Sequence, residues 1–147
     1  MKIKQLSVFL ENKPGRLSVP CRALAEAGIN ILTLSLADTQ QFGILRLIVR
    51  DVEKAREALA KAGCVARITE VVAIEVGDRP GGLAEVLDMI EQAGINLEYM
   101  YAFTFRSADR AVIVFRFEDP DKAIKLLKAK GVNVVESVEL YSRAGKK

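Results

Sequence analysis

Residues 11–31 read ENKPGRLSVPCRALAEAGINI, and residues 77–97 read GDRPGGLAEVLDMIEQAGINL. Each stretch opens on a Pro-Gly turn, continues through an amphipathic segment and closes on Ala-Gly-Ile-Asn. Asn12-Lys13-Pro14-Gly15 falls on Asp78-Arg79-Pro80-Gly81, 66 residues on, and the same offset carries Leu6, Val8 and Leu10 to Val72, Ile74 and Val76. Further along the offset is 68: Asp51-Val52-Glu53-Lys54-Ala55 falls on Asp119-Pro120-Asp121-Lys122-Ala123, Leu59 on Leu127 and Gly63 on Gly131. The chain is a tandem duplication. The second copy carries two extra residues, which we place near Ser107-Ala108-Asp109, since turns accept insertions. The division falls between residues 1–70 and 71–147. The seam at Thr69-Glu70-Val71-Val72 has no Pro, Gly or Ser, so no flexible linker is expected.

Each copy predicts strand, helix, strand, strand, helix, strand. In the first, Leu6, Val8 and Leu10 alternate with Ser7, Phe9 and Glu11, the period of a half-buried strand. Pro14-Gly15 marks a turn, and Leu17, Cys21, Leu24 and Gly28 follow at helical spacing. Pro20 lacks an amide hydrogen and is tolerated only near a helix start, so the helix is predicted to begin late, near Leu17. Strands are predicted over residues 31–37 and 43–50. Asp51 is a candidate N-cap for a helix striped by Val52, Ala55, Leu59 and Ala62, and a last strand begins at residues 65–68. The fold class is α+β: two tandem ferredoxin-like βαββαβ units with antiparallel sheets, packed without a flexible linker.

Half of the 147 residues are hydrophobic, enough for a core. No apolar run reaches the roughly 18 residues a membrane span needs, and the first residues do not resemble a signal peptide; a cytoplasmic protein is expected. The formal charge of +3 is partly carried by residues 143–147, read as a solvated tail. Lys and Arg alternate with Asp and Glu elsewhere, unlike a nucleic-acid binder's basic stripe. Histidine is absent, which removes the commonest general base and transition-metal ligand. Cys21 and Cys64 form no CxxC pattern and read as small core residues. No nucleophile–base pair, metal cluster or phosphate loop is present, so neither catalysis, a metal nor a cofactor is expected.

Asn/Asp-x-Pro-Gly-x-Leu after a strand, followed by a helix and Ala-Gly-Ile-Asn, resembles the ACT domain, a module that senses small molecules in amino-acid metabolism. The resemblance covers nearly the whole chain as two tandem copies. It implies a free amino acid or similar small carboxylate bound at the turn, against the start of the second strand of a neighbouring unit. The positions implied are Asn12, Pro14, Gly15, Arg16, Leu17, Asn30 and Ile31 in the first copy. In the second they are Asp78, Pro80, Gly81, Gly82, Leu83, Asn96 and Leu97. The chemistry agrees. Unpaired N–H groups at a helix start attract a carboxylate, and the Asn12 or Asp78 side-chain oxygen can accept from an ammonium group. Each position also has a structural reading: Asn12 and Asp78 as turn caps, Leu17 and Leu83 as core, Asn30 and Asn96 as turn residues. The expected protein is regulatory and non-catalytic, a homodimer through its sheet edges, and a modulator of a metabolic enzyme. The opening is also similar to the small regulatory subunit of acetolactate synthase-like enzymes, but a second plain ACT copy departs from that pattern. A ferredoxin-like RNA-binding module is a third reading; it needs exposed aromatics on central strands, whereas Phe115 and Phe117 read as core.

Overall fold

A computed structural model describes residues 1–145, and the side chains of all of these but residues 105–107. The chain divides into two compact units, Lys4–Thr69 and the chain from Glu70 onward together with Met1–Ile3. Three contacts tie the first residues to the second unit. The Met1 ammonium lies 3.1 Å from Glu136, and Lys2 lies 3.2 Å from Asp121 and 3.4 Å from Glu70.

In the first unit the order along the chain is β1 (Ile3–Glu11), α1 (Ser18–Glu26), β2 (Thr33–Asp38), β3 (Phe42–Ile48), α2 (Val52–Lys61) and the start of β4 (Val65–Gly77). The strands lie in the order β2-β3-β1-β4. β1 and β2 both run antiparallel to β3, with Leu6 opposite Leu47 and Leu36 opposite Leu45. One face of the sheet carries Leu6, Val8, Leu45, Leu47 and Val49 against Leu24 of α1 and Val52, Ala55 and Leu59 of α2. This is the period-2 pattern of the strands meeting the 3.6-residue stripe of the helices.

The second unit repeats the plan with the rest of β4, α3 (Gly82–Gln92), β5 (Leu97–Ser107), β6 (Arg110–Phe117), α4 (Pro120–Ala129) and β7 (Val134–Val135). β6 and β7 flank β4, and β5 lies outside β6. Its core sets Val72, Ile74 and Val76 against Val86, Ile90, Ala123 and Leu127. Phe115 and Phe117 stand where the first unit has Leu47 and Val49; both are buried and stack with centroids 5.7 Å apart. The N-caps match across copies: Asp51 accepts from the Lys54 amide and Asp119 from the Lys122 amide, each at 3.1 Å. The Thr69–Val72 seam lies inside β4, as a strand rather than a linker.

Four local expectations need correction. The extra two residues are not in the 108–109 turn but in β5, where the pairing with β6 shifts by two between Ala102 and Arg106. The basic C-terminal segment is not wholly a tail. Ser137–Ala144 forms a further helix, α5, whose Leu140 is fully buried and whose Arg143 pairs with Glu75 and Glu139; Lys146 and Lys147 lie outside the described residues. Leu17 is 42% exposed rather than core, because α1 starts only after it. Cys21 and Cys64 are free but only half-buried.

Candidate functional site

The two Pro-Gly turns are built alike. The Arg16 amide donates to the Lys13 carbonyl at 3.2 Å, and the Gly82 amide to the Arg79 carbonyl at 3.0 Å. Proline precedes a glycine at φ +83° in both. Gly81 has ψ −9°, so the bend is a type II turn, whose third position requires a left-handed backbone. Each turn is tied to the hairpin beside it. The Asn12 amide donates to the Gln41 carbonyl at 2.9 Å and the Asp78 amide to the Asp109 carbonyl at 2.8 Å. The Asn12 side-chain amide also reaches the Gln40 carbonyl, at 3.5 Å. Asn12 thus holds the turn to the hairpin while remaining an exposed residue.

Beyond the turn the copies part. In the second unit the helix begins at once, at Gly82, capped by Gly81. A Cβ on Gly82 would lie 1.9 Å from the Gly77 carbonyl oxygen, so the helix start rests directly on the end of β4. In the first unit Arg16 takes that position, and α1 begins two residues later, at Ser18. Pro20 is the cause: it stands where α3 has Val86, and it has no N–H to give to residue 16. The Ser18 hydroxyl instead donates to the Gly15 carbonyl at 2.9 Å.

Each turn borders a cleft walled by the end of its strand, the start of its first helix and the bend after its second helix. The second-unit cleft is about 350 Å³ and the first about 290 Å³. The second is lined by seven charged side chains, the first by two, Glu11 and Arg16. Within the second, Glu75 is held by Arg143. Burial alone would raise its carboxyl, but hydrogen bonds from Asn133 and Arg143 and the charges of Arg143 and Arg110 outweigh this and hold it below the usual range. In the first cleft, burial pushes the Cys64 thiol up.

Within either unit, the two halves of the expected site are apart. Glu11, beside the first turn, pairs with Phe42, whereas Thr33, just after Asn30 and Ile31, pairs with Ile48 at the other end of β3. In the second unit Gly77 pairs with Arg110 and Leu97 with Phe117. Asn30 and Asn96 are exposed; Ile31 and Leu97 are half-buried against their cores. Asn12, Pro14, Gly15, Arg16, Asp78, Pro80 and Gly81 are exposed, Gly82 is buried and Leu83 packs on the core. The wall formed by Val19 or Glu85 and by the bend after the second helix went unnoticed in the sequence. Extending the 66- and 68-residue offsets to those positions would have found it. Phe115 and Phe117, which an RNA platform would need on its surface, lie inside the core. Among the described residues no group of His, Cys, Asp and Glu is placed to hold a metal, and no helix is long and apolar enough to cross a membrane.

The comparisons with known proteins agree with this architecture. The family model of an ACT domain pair matches residues 1–143. Protein BT0572 from Bacteroides thetaiotaomicron is 42% identical over 96% of this chain and 96% of that one, with a TM-score of 0.88. The regulatory subunit of aspartate kinase from Thermus thermophilus is 21% identical, with a TM-score of 0.61 over 86% of this chain and 91% of its own. That from Thermus flavus is 19% identical with a TM-score of 0.59, over 86% and 90%; these two share the fold. No curated protein sequence matches. With a duplicated turn, a repeated βαββαβ plan and a family match along nearly its whole length, the chain belongs to the ACT family as an ACT domain pair.

Proposed function

We propose that the protein is a non-catalytic regulator that binds a free amino acid, or a similar small carboxylate, at its Pro-Gly turns. The observation that carries this is the separation of the half-sites. The turn and the start of the second strand lie at opposite ends of each sheet, so a ligand touching both must bridge two units. Such a ligand favours one arrangement of the units over others, and a regulator needs that differential affinity. The bridging unit is supplied by a second chain in a homodimer, and a metabolic enzyme reads the result.

A thermal-shift screen over the amino acids tests this. A ligand at about 100 times its Kd stabilises the fold by roughly 2.7 kcal/mol. One amino acid or a chemically related few should raise Tm by several degrees. No shift with any of them at millimolar concentration contradicts the proposal.

A further inference from the structure

The two clefts differ in one respect that bears on which of them takes a ligand. In the second unit Arg79, on the turn, reaches Glu85 in the first turn of α3, and its Nη2 lies 2.8 Å from both carboxylate oxygens. The pair is well exposed, so it adds little stability. Its effect is to place a carboxylate of the protein itself at the mouth of the cleft, beside the positive end of the helix. In the first unit the equivalents are Lys13 and Val19, and no such clasp forms. Lys13 turns back to Glu11, 3.2 Å away. The Arg16 guanidinium has no ion-pair partner among the described residues.

The rest of the first cleft suits a particular guest. Leu10, Val19 and Cys64 line it, and Glu11 and Arg16 are its only charged residues. Val19 is 39% exposed and neighbouring Leu17 42%, so apolar surface stands open beside one acid and one base. An amino acid with an apolar side chain carries the complement: a carboxylate for Arg16, an ammonium that shares Glu11 with Lys13, and a hydrocarbon body for the wall.

We infer that the chain binds one such amino acid, at the first unit's cleft, and that in the second cleft Glu85 already occupies Arg79 and so stands in for the ligand's carboxylate. This rests on the amino-acid-binding function proposed above and names the copy and the ligand class.

Titration calorimetry on the full chain tests it, with leucine and phenylalanine as probes and aspartate and lysine as counter-probes. Leucine or phenylalanine should bind with a stoichiometry near one per chain, and the counter-probes should not. Val19→Glu writes the clasp into the first unit and should abolish the heat. Val19 is exposed and an acid suits a helix start, so the fold should persist, as circular dichroism would verify. Arg16→Gln should weaken binding by about tenfold or more, as expected for a lost charged hydrogen bond. Glu85→Val opens the second clasp and should raise the stoichiometry toward two. Undiminished binding by folded Val19→Glu, or binding of the charged probes alone, overturns the inference while leaving the regulatory function standing. An unchanged stoichiometry in Glu85→Val overturns the role given to the clasp. No binding by any amino acid takes both down.

Discussion

Two turns with the same bond pattern lead into two different helix starts. At the second, Gly82 lets α3 sit on the end of β4, where a Cβ would come within 1.9 Å of the Gly77 carbonyl, and Glu85 pairs with Arg79 in the wall of the cleft. At the first, Pro20 withholds an amide, α1 starts two residues later, and Arg16 and Val19 occupy the positions of Gly82 and Glu85. The difference teaches that duplication preserves the frame and frees the entrance. The strand cores and the stripes of the second helices match across the copies, while the starts of the first helices and the residues at the mouth diverge.

The largest expected break of the comparison is in packing. Gly82→Ala should destabilise the protein by roughly 3 kcal/mol, because the new methyl meets backbone and the helix must move. Arg16→Ala, at the equivalent place, should change stability by about 0.5 kcal/mol or less. Chemical denaturation of the two variants measures both; equal effects would mean that the two starts are packed alike. Next come the N-caps, where the units should agree. Asp51→Ala and Asp119→Ala should each cost about 1 kcal/mol, since each carboxylate satisfies one helix amide at 3.1 Å. A marked inequality between them would show that the frames are less alike than their bonds suggest.

A smaller change should make the first start resemble the second. In an Arg16→Gly background, Pro20→Val restores the missing donor without the clash that a side chain at 16 would bring. The amide of residue 20 should then become protected in hydrogen exchange, to the degree expected of the Val86 amide inside α3. If it exchanges freely, Pro20 is not what delays α1. The least effect is expected in acid. Glu75 is depressed below its ordinary value of 4.5, so its contribution to stability is present above that pH and fades as pH falls through the folded value. Glu75→Gln should flatten the acid limb of a stability–pH curve and lower the curve above it by a constant amount, with no new slope above neutrality.

Most of the frame was legible because it is written twice. Alternation at Leu6, Val8 and Leu10 and the caps at Asp51 and Asp119 each reappear at a fixed offset, so each reading checks the other. The parts that were not legible are those without a counterpart. α5 buries Leu140 and ties Arg143 to Glu75, but an eight-residue segment with no repeat leaves only a faint periodicity. The two-residue insertion went into β5 because its backbone absorbs the extra residues as a shift of register, which a turn-based expectation overlooks. The candidate site was half visible. Pro14-Gly15 and Pro80-Gly81 announced the turns, whereas the Arg79–Glu85 clasp depends on a side chain six residues along reaching back over the bend, and pattern alone does not show reach.

On this proposal the first turn is open to a small zwitterion, and at the second Glu85 takes the place of the ligand's carboxylate. A crystal structure of the chain grown with the amino acid that gives the largest thermal shift tests it most directly. Density for one ligand per chain should appear beside Arg16 and Val19, with Arg79 still on Glu85. Ligand beside Gly81 with the clasp sprung apart, and an empty first cleft, would contradict it.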